Sequence, residues 1–272
     1  MRKRVKALAI ILLLCALGAA LLRDSARNVR LTQYTVASAE LPESFAGFKI
    51  VQLSDFHGAP FVSNIVSTVK AEKPDIIALT GDFITDGGDL AAVRALVRQL
   101  TDICDVYFVS GNHDFASGKI DELSDILSSC GVKYLRNEYV TIKRGDERIV
   151  IAGVEDPNSW ADLEPPDKLI GRLRAEYPDD YVVLLGHRNY WIEQYPEIPV
   201  QLVLCGHAHG GIVRIPGIGG LLGTDRTLFP EYDAGRFESG SYTMIVSRGI
   251  GNSVPLPRLF NRPEIVSIVL KN

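Results

Sequence analysis

The chain reads as a succession of short apolar runs, each closed by glycine, aspartate or histidine, with helical periodicity between them. Residues 49–53, 75–79 and 106–109 are almost wholly apolar and end at Ser54-Asp55, Thr80-Gly81-Asp82 and Ser110-Gly111-Asn112. Continuous apolar runs of this length suit strands buried on both faces. Between them, residues 64–73 place Ile65, Val66 and Val69 on one side and stop at Pro74. Residues 90–100 carry Leu90, Val93, Leu96, Val97 and Leu100 in one stripe with Asp89 as cap, and residues 121–129 carry Leu123, Ile126 and Leu127 ahead of Gly131. Strand, helix and strand at a period of about thirty residues predict parallel strands joined by right-handed crossovers.

The second half has a different rhythm. Residues 139–142 and 148–151 flank Arg144-Gly145-Asp146-Glu147 as an antiparallel hairpin. A helix over 167–176 leads to strands at 181–185, 201–205, 242–247 and 265–270, and 31–38 reads as an edge strand. The expectation is an α/β domain over 31–272, two packed sheets flanked by helices, with no repeat or linker to divide it.

Residues 1–30 stand apart. Arg2, Lys3, Arg4 and Lys6 precede a nearly uninterrupted apolar run over 7–22. At ~1.5 Å per residue it covers about 24 Å, slightly short of a ~30 Å hydrocarbon core. The segment is expected to be a single-pass membrane anchor or a cleaved signal. Leu21-Leu22 prolongs the run past Gly18-Ala19-Ala20, which favours the retained anchor. Positive charge ahead of the run sets the N-terminus in the cytoplasm and the domain outside, although Arg23, Arg27 and Arg30 weigh against that orientation.

Composition is that of a globular protein, 46% hydrophobic and 23% charged. Residues 1–30 hold seven of the 29 Lys/Arg and one of the 33 Asp/Glu, so the remainder carries 22 basic against 32 acidic residues, a net of −10. Such a domain repels a long polyanion, and nucleic acid is not an expected partner. Cys15, Cys104, Cys130 and Cys205 have no metal-binding spacing and read as small buried hydrophobes, with a Cys104–Cys130 bridge open in an oxidising compartment.

The chemistry lies where the apolar runs stop. All five histidines fall in the clusters Asp55-Phe56-His57, Gly81-Asp82, Gly111-Asn112-His113-Asp114, Gly186-His187 and Gly206-His207-Ala208-His209. Imidazole and carboxylate are the ligands that zinc, manganese and iron accept. Side chains just beyond the carboxyl ends of parallel strands converge on one crevice, so the five segments can assemble two adjacent metal positions. The glycines before Asp82, Asn112, His187 and His207 are expected to allow sharp turns and close approach. Each cluster alone is weak, since a lone histidine after a strand is more often a hydrogen-bonded core residue. Gly-Asn-His-Asp and Gly-His-x-His are the specific elements.

These motifs, in this order, resemble those of the calcineurin-like metallophosphoesterases, closest to their bacterial membrane-associated phosphodiesterase branch. Leu41-Pro42 through Gly47-Phe48-Lys49-Ile50 is similar to that branch's opening. Gly210-Gly211 through Pro216, Ser247-Arg248-Gly249-Ile250-Gly251 and Arg262-Pro263-Glu264-Ile265 are similar to its tail. The resemblance implies a four-layer α-β-β-α sandwich of two mixed sheets and a binuclear centre of manganese, zinc, iron or nickel. Asp55, His57, Asp82 and His209 would hold one ion, and Asp82, Asn112, His187 and His207 the other. It further implies attack by a metal-bridging hydroxide, with His113 as general acid and Asp114 orienting its ring. Asn112 is also placed against a phosphoryl oxygen.

Two departures bear on substrate. Ile212 follows Gly210-Gly211 where relatives commonly have Gln, and Arg188-Asn189-Tyr190-Trp191 follows His187 where many have a Pro-Asp pair. Arg188 is a candidate for pairing with a substrate phosphate. The anchor points to a phosphodiester of a lipid or envelope component. Trp160, Tyr190, Trp191, Leu228, Phe229 and Tyr232, with the Gly-rich stretch 215–229, are candidates to receive a lipid. The alternatives are a nucleotide phosphodiesterase or nuclease, and a metal-containing binding module without catalysis.

Overall fold

A computed structural model describes residues 2–85, 87–159, 164–254 and 256–272. After α1 (Arg2–Arg27) come β1 (Arg30–Ala37), β2 (Lys49–Leu53), α2 (Val62–Glu72), β3 (Ile76–Thr80), α3 (Ala91–Thr101), β4 (Asp105–Val109), α4 (Asn112–Ala116), α5 (Ile120–Ser129) and β5 (Lys133–Tyr134). The second half runs through β6 (Glu138–Arg144), β7 (Glu147–Gly153), α6 (Pro166–Glu176), β8 (Tyr181–Leu185), α7 (Trp191–Gln194) and β9 (Leu202–Cys205). It closes with β10 (Arg214–Ile215), β11 (Gly219–Gly220), β12 (Gly235–Glu238), β13 (Thr243–Val246) and β14 (Glu264–Lys271).

Two six-stranded sheets, in the orders β1-β14-β2-β3-β4-β5 and β12-β13-β9-β8-β7-β6, build the expected sandwich. In the first, β2, β3, β4 and β5 are parallel and β14 enters antiparallel to β2. In the second, β7, β8, β9 and β13 are parallel, and β6 and β12 close the edges antiparallel. The alternate residues of each buried strand explain the layering. Ile50, Ala78 and Tyr107 face Ile151, Val183 and Leu204 between the sheets. Val51, Leu79 and Phe108 face the stripes of α2, α3 and α5, while Val150, Leu184 and Val203 face α6 and α7. Four layers result because every buried strand is apolar on both faces.

The predicted stripe of α3 is buried as expected: Val93, Leu96, Val97 and Leu100 are inaccessible, and Asp89 accepts from the Ala91 N–H at 2.8 Å. The short helices α4 and α7 were not expected, because neither has enough residues to show a period.

α1 is one helix of 26 residues. Among the described residues, however, no helix is long and apolar enough to cross a membrane, so the structure does not supply the expected single-pass span. The foot of α1 is fastened to the domain. Arg262 donates to the Asp24 carboxylate at 2.7 and 2.8 Å, and the Phe260 N–H donates to Ser25 Oγ at 3.0 Å. All four cysteines are free, so the Cys104–Cys130 bridge is not formed, and burial pushes the Cys104 thiol up to about 12.

Candidate metal centre

The parallel strands of both sheets end on the same side of the sandwich, and each end delivers one cluster. Asp55 follows β2, Asp82 follows β3, Asn112 opens α4 after β4, His187 follows β8 and His207 follows β9. Gln52 ties the two sheets beneath them, donating to Thr80 Oγ1 at 3.0 Å and across to the Cys205 carbonyl at 2.8 Å. The loops then lock one another: the Asp55 N–H donates to the Gly81 carbonyl, the His57 N–H to the Asp82 carbonyl, and the Gly251 N–H to the Asp55 carbonyl.

These loops are held in uncommon backbone conformations. Eleven non-glycine residues among those described have positive φ, and five of them are Asp55, His57, Asp82, His207 and His209. Strain of this kind concentrates where surrounding structure over-determines a functional geometry. The preceding glycines serve two purposes. Gly81 (φ +83°) needs the left-handed region, whereas Gly111 and Gly206 are required because a Cβ there would collide with the Asp82 carboxylate and with Ser54.

Two groups of donor atoms result. Asp55, His57, Asp82 and His209 bring one ligand atom each within 4.8 Å of one another, and Asp82, His187 and His207 do the same. Asp82 belongs to both. Its Oδ2 lies 3.7 Å from His57 Nε2 and 3.1 Å from His187 Nε2, while Oδ1 accepts from the His113 N–H at 2.8 Å. His57 Nε2 faces His209 Nε2 at 3.3 Å, and His207 Nδ1 faces His187 Nε2 at 3.2 Å. His187 Nδ1 sits 2.8 Å from the Thr80 carbonyl, which fixes that nitrogen as a donor and turns Nε2 toward the centre.

Protonation fits a cation site. Burial holds His57 down to about 3 and keeps His207 and His209 well below the ordinary imidazole range, so their lone pairs are free. His187 differs: burial opposes its charge, but Asp82 outweighs that and raises it to about 10. This imidazolium with its neighbours in turn overcomes the burial of Asp82 and holds that carboxyl well below its usual range, and a bound cation would replace that positive charge. Asn112 Oδ1 is nevertheless buried without a hydrogen-bond partner, and Asp82 Oδ2 meets only the ring nitrogens of His187 and His57, at 3.1 and 3.7 Å. An oxygen so placed costs free energy unless something positive meets it. Divalent cations held by the two donor groups would satisfy both atoms.

The residues matched by the family model decide the identity: 48–211 fit calcineurin-like phosphoesterase. The chain belongs to that family. The metallophosphoesterase YkuE of Bacillus subtilis is 31% identical over 90% of this chain and 86% of its own length. The phosphodiesterase YaeI of Escherichia coli is 29% identical over 84% of each. A zebrafish transmembrane protein with metallophosphoesterase domain is 29% identical over 99% of this chain, which spans 63% of that protein. The chain is therefore a hydrolase of phosphoric esters with a candidate binuclear site.

In this phosphoesterase Asp114 does not do what was expected of it. Its carboxylate accepts from the backbone N–H groups of Asp82, Phe83, Ile84 and Gly111 at 2.8–3.1 Å, so neither oxygen is left for the His113 ring. It braces the Asp82 loop instead. Burial, then the nearby Asp82 charge, raises its carboxyl to about 7. The His113 ring packs edge-on to His57, centroids 5.1 Å apart, and lines the cavity over the donor atoms.

That cavity has a volume of about 670 Å³, and a second of about 370 Å³ shares Arg188, His207 and the 223–225 turn with it. Arg188 lines both. It is held by the buried Asp156 at 2.6 and 3.1 Å, and its Nη1 is 3.2 Å from His207 Nε2. Tyr190 and Tyr232 line the smaller cavity, Trp191 is buried in the core, and Trp160 lies outside the described residues. Three contributors carried no sequence signal. Asp156 holds Arg188, Asn261 donates to the carbonyls of His209 and Ile212, and the buried Arg258 brings Nη2 to 3.3 Å from His209 Nδ1. Only folding places these beside the histidines.

Proposed function

We propose that the chain hydrolyses phosphodiesters of a lipid or other envelope component at a membrane surface. In this reading two divalent cations share Asp82, and His113 protonates the leaving oxygen. The observation that carries it is the buried Asp82, common to both donor groups, with Oδ2 between the ring nitrogens of His57 and His187 at 3.7 and 3.1 Å. Asp55, His57, Asp82 and His209 would hold one ion, and Asp82, Asn112, His187 and His207 the other. Bound there, the ions supply Lewis-acid polarisation of phosphoryl oxygens and a water acidic near neutral pH. Asn112 also faces a phosphoryl oxygen, and Arg188, oriented by Asp156, offers a planar fork to another.

A diester suits the site because the cavity continues past Arg188 into the smaller one, giving room on both sides of a phosphate. The name of the Escherichia coli relative, phosphodiesterase, supports the same choice. The membrane location draws support from α1, where Ile10 to Leu14 are all exposed, and from the zebrafish relative's name. The test is turnover of bis-p-nitrophenyl and p-nitrophenyl phosphate by the full chain with added manganese, beside elemental analysis of the protein. Faster diester turnover and two ions per chain are expected. A monoester preference removes the diester assignment, and a single ion retained at full activity removes the binuclear one.

A further inference from the structure

The exposed large apolar side chains among the described residues all lie either on α1 or between Ile218 and Phe260. Ile218 and Phe260 of the second set lie at the foot of α1, beside Leu21. A cavity of about 730 Å³ opens there, sharing no lining residue with the metal centre. Its rim is apolar: Leu21 of α1, Phe260, and Ile218, which is 69% exposed in the β10–β11 hairpin turn. Its wall is cationic, with Arg30, Arg214, Arg248 and Arg262.

The charges on that wall are not balanced. Arg262 is paired with Asp24 and Arg214 with Asp233, at 2.7 and 3.0 Å. Arg248 Nε is 3.7 Å from Glu264 and buried with no hydrogen-bond partner, because Glu264 accepts instead from Thr32 Oγ1 and the Arg248 N–H. Arg30 is exposed and has no ion pair among the described residues. A guanidinium fork binds phosphate oxygens with two parallel hydrogen bonds. Arg30 without an ion pair, and Arg248 whose Glu264 is 3.7 Å away and engaged by other donors, leave guanidinium donors beneath an apolar rim. That arrangement matches an amphiphile with an anionic head and hydrocarbon tails, and basic side chains beside an apolar helix attract anionic lipids.

We infer that this cavity is a binding site for the phosphate head group of an anionic phospholipid, seated between Arg30 and Arg248 with its acyl chains along Leu21, Ile218 and Phe260. The inference rests on the membrane-surface reading above and adds to it a site separate from catalysis. It orients the metal centre relative to the bilayer by gripping one lipid.

Flotation of the full chain with vesicles of phosphatidylcholine, and of phosphatidylcholine with one-third phosphatidylglycerol, tests it. Binding to both, with a preference of about tenfold for the phosphatidylglycerol vesicles, is expected. Arg30→Glu should abolish the preference while hydrolysis of a soluble diester continues, because Arg30 is exposed and touches nothing at the metal centre. Arg248→Gln is the second variant, with soluble-ester turnover reporting that it folds; Arg214 is left intact because it donates to the Gly210 carbonyl beside His209. Equal binding of the wild type to both vesicles overturns the head-group site but leaves the membrane reading standing. Binding to neither overturns both. A preference unchanged in Arg30→Glu and in folded Arg248→Gln places the lipid elsewhere, and displacement from phosphatidylglycerol vesicles by millimolar inorganic phosphate makes this a free-anion site and overturns the lipid assignment.

Discussion

Two neighbours in the sequence, His113 and Asp114, have unrelated duties once the chain folds. His113 presents its ring to the cavity, and among the titratable side chains lining it only Arg188, Asp225 and Arg226 are likewise outside the donor groups. His113→Gln should therefore keep the metal content and slow esters of poor leaving groups by about 10²–10⁴-fold, with far less effect on good leaving groups. A leaving-group series on the purified variant checks this, and equal slowing across it would remove the acid role. Asp114, by contrast, is structural. Asp114→Asn turns an amide toward N–H donors that now lack an acceptor, at about 1–3 kcal/mol for each donor orphaned. Urea unfolding should show that loss together with weaker metal retention, since the Asp82 loop loses its brace.

Among the elements, helices with a full stripe were predictable and those of one turn were not. α3 repeats its apolar positions over three turns and buries them all, so Leu100→Ala should lower stability by about 2–5 kcal/mol in urea unfolding while the folded fraction keeps its turnover. α4 has five residues, and its Asn112 and His113 were legible only as a motif. Its position comes from β4 beneath it and from the Gly111–Asp82 contact, which tolerates no Cβ. The strands were legible because a run apolar at every position has no solvent face to offer, and the sandwich follows from covering both sides of each.

The whole molecule consists of a sandwich and one attached helix. α1 is held chiefly at its foot, through Asp24 and Ser25, and an exposed ion pair contributes little to stability. Removing residues 1–29 should leave turnover of a soluble diester roughly unchanged and abolish vesicle flotation. Lost turnover in a chain that still unfolds cooperatively would show that α1 shapes the metal centre.

The sequence by itself determined the layers, most strand and helix positions, and the side chains able to bind cations, because burial periodicity and ligand chemistry are local properties of residues. It could not determine that Asp114 serves the backbone of the Asp82 loop, that Asp156 aims Arg188, or that Arg30 and Arg248 share a cavity with Ile218 and Phe260. Those pairings join residues tens to hundreds of positions apart. Their partners are selected by which strand ends lie side by side, and only the packed sheets decide that.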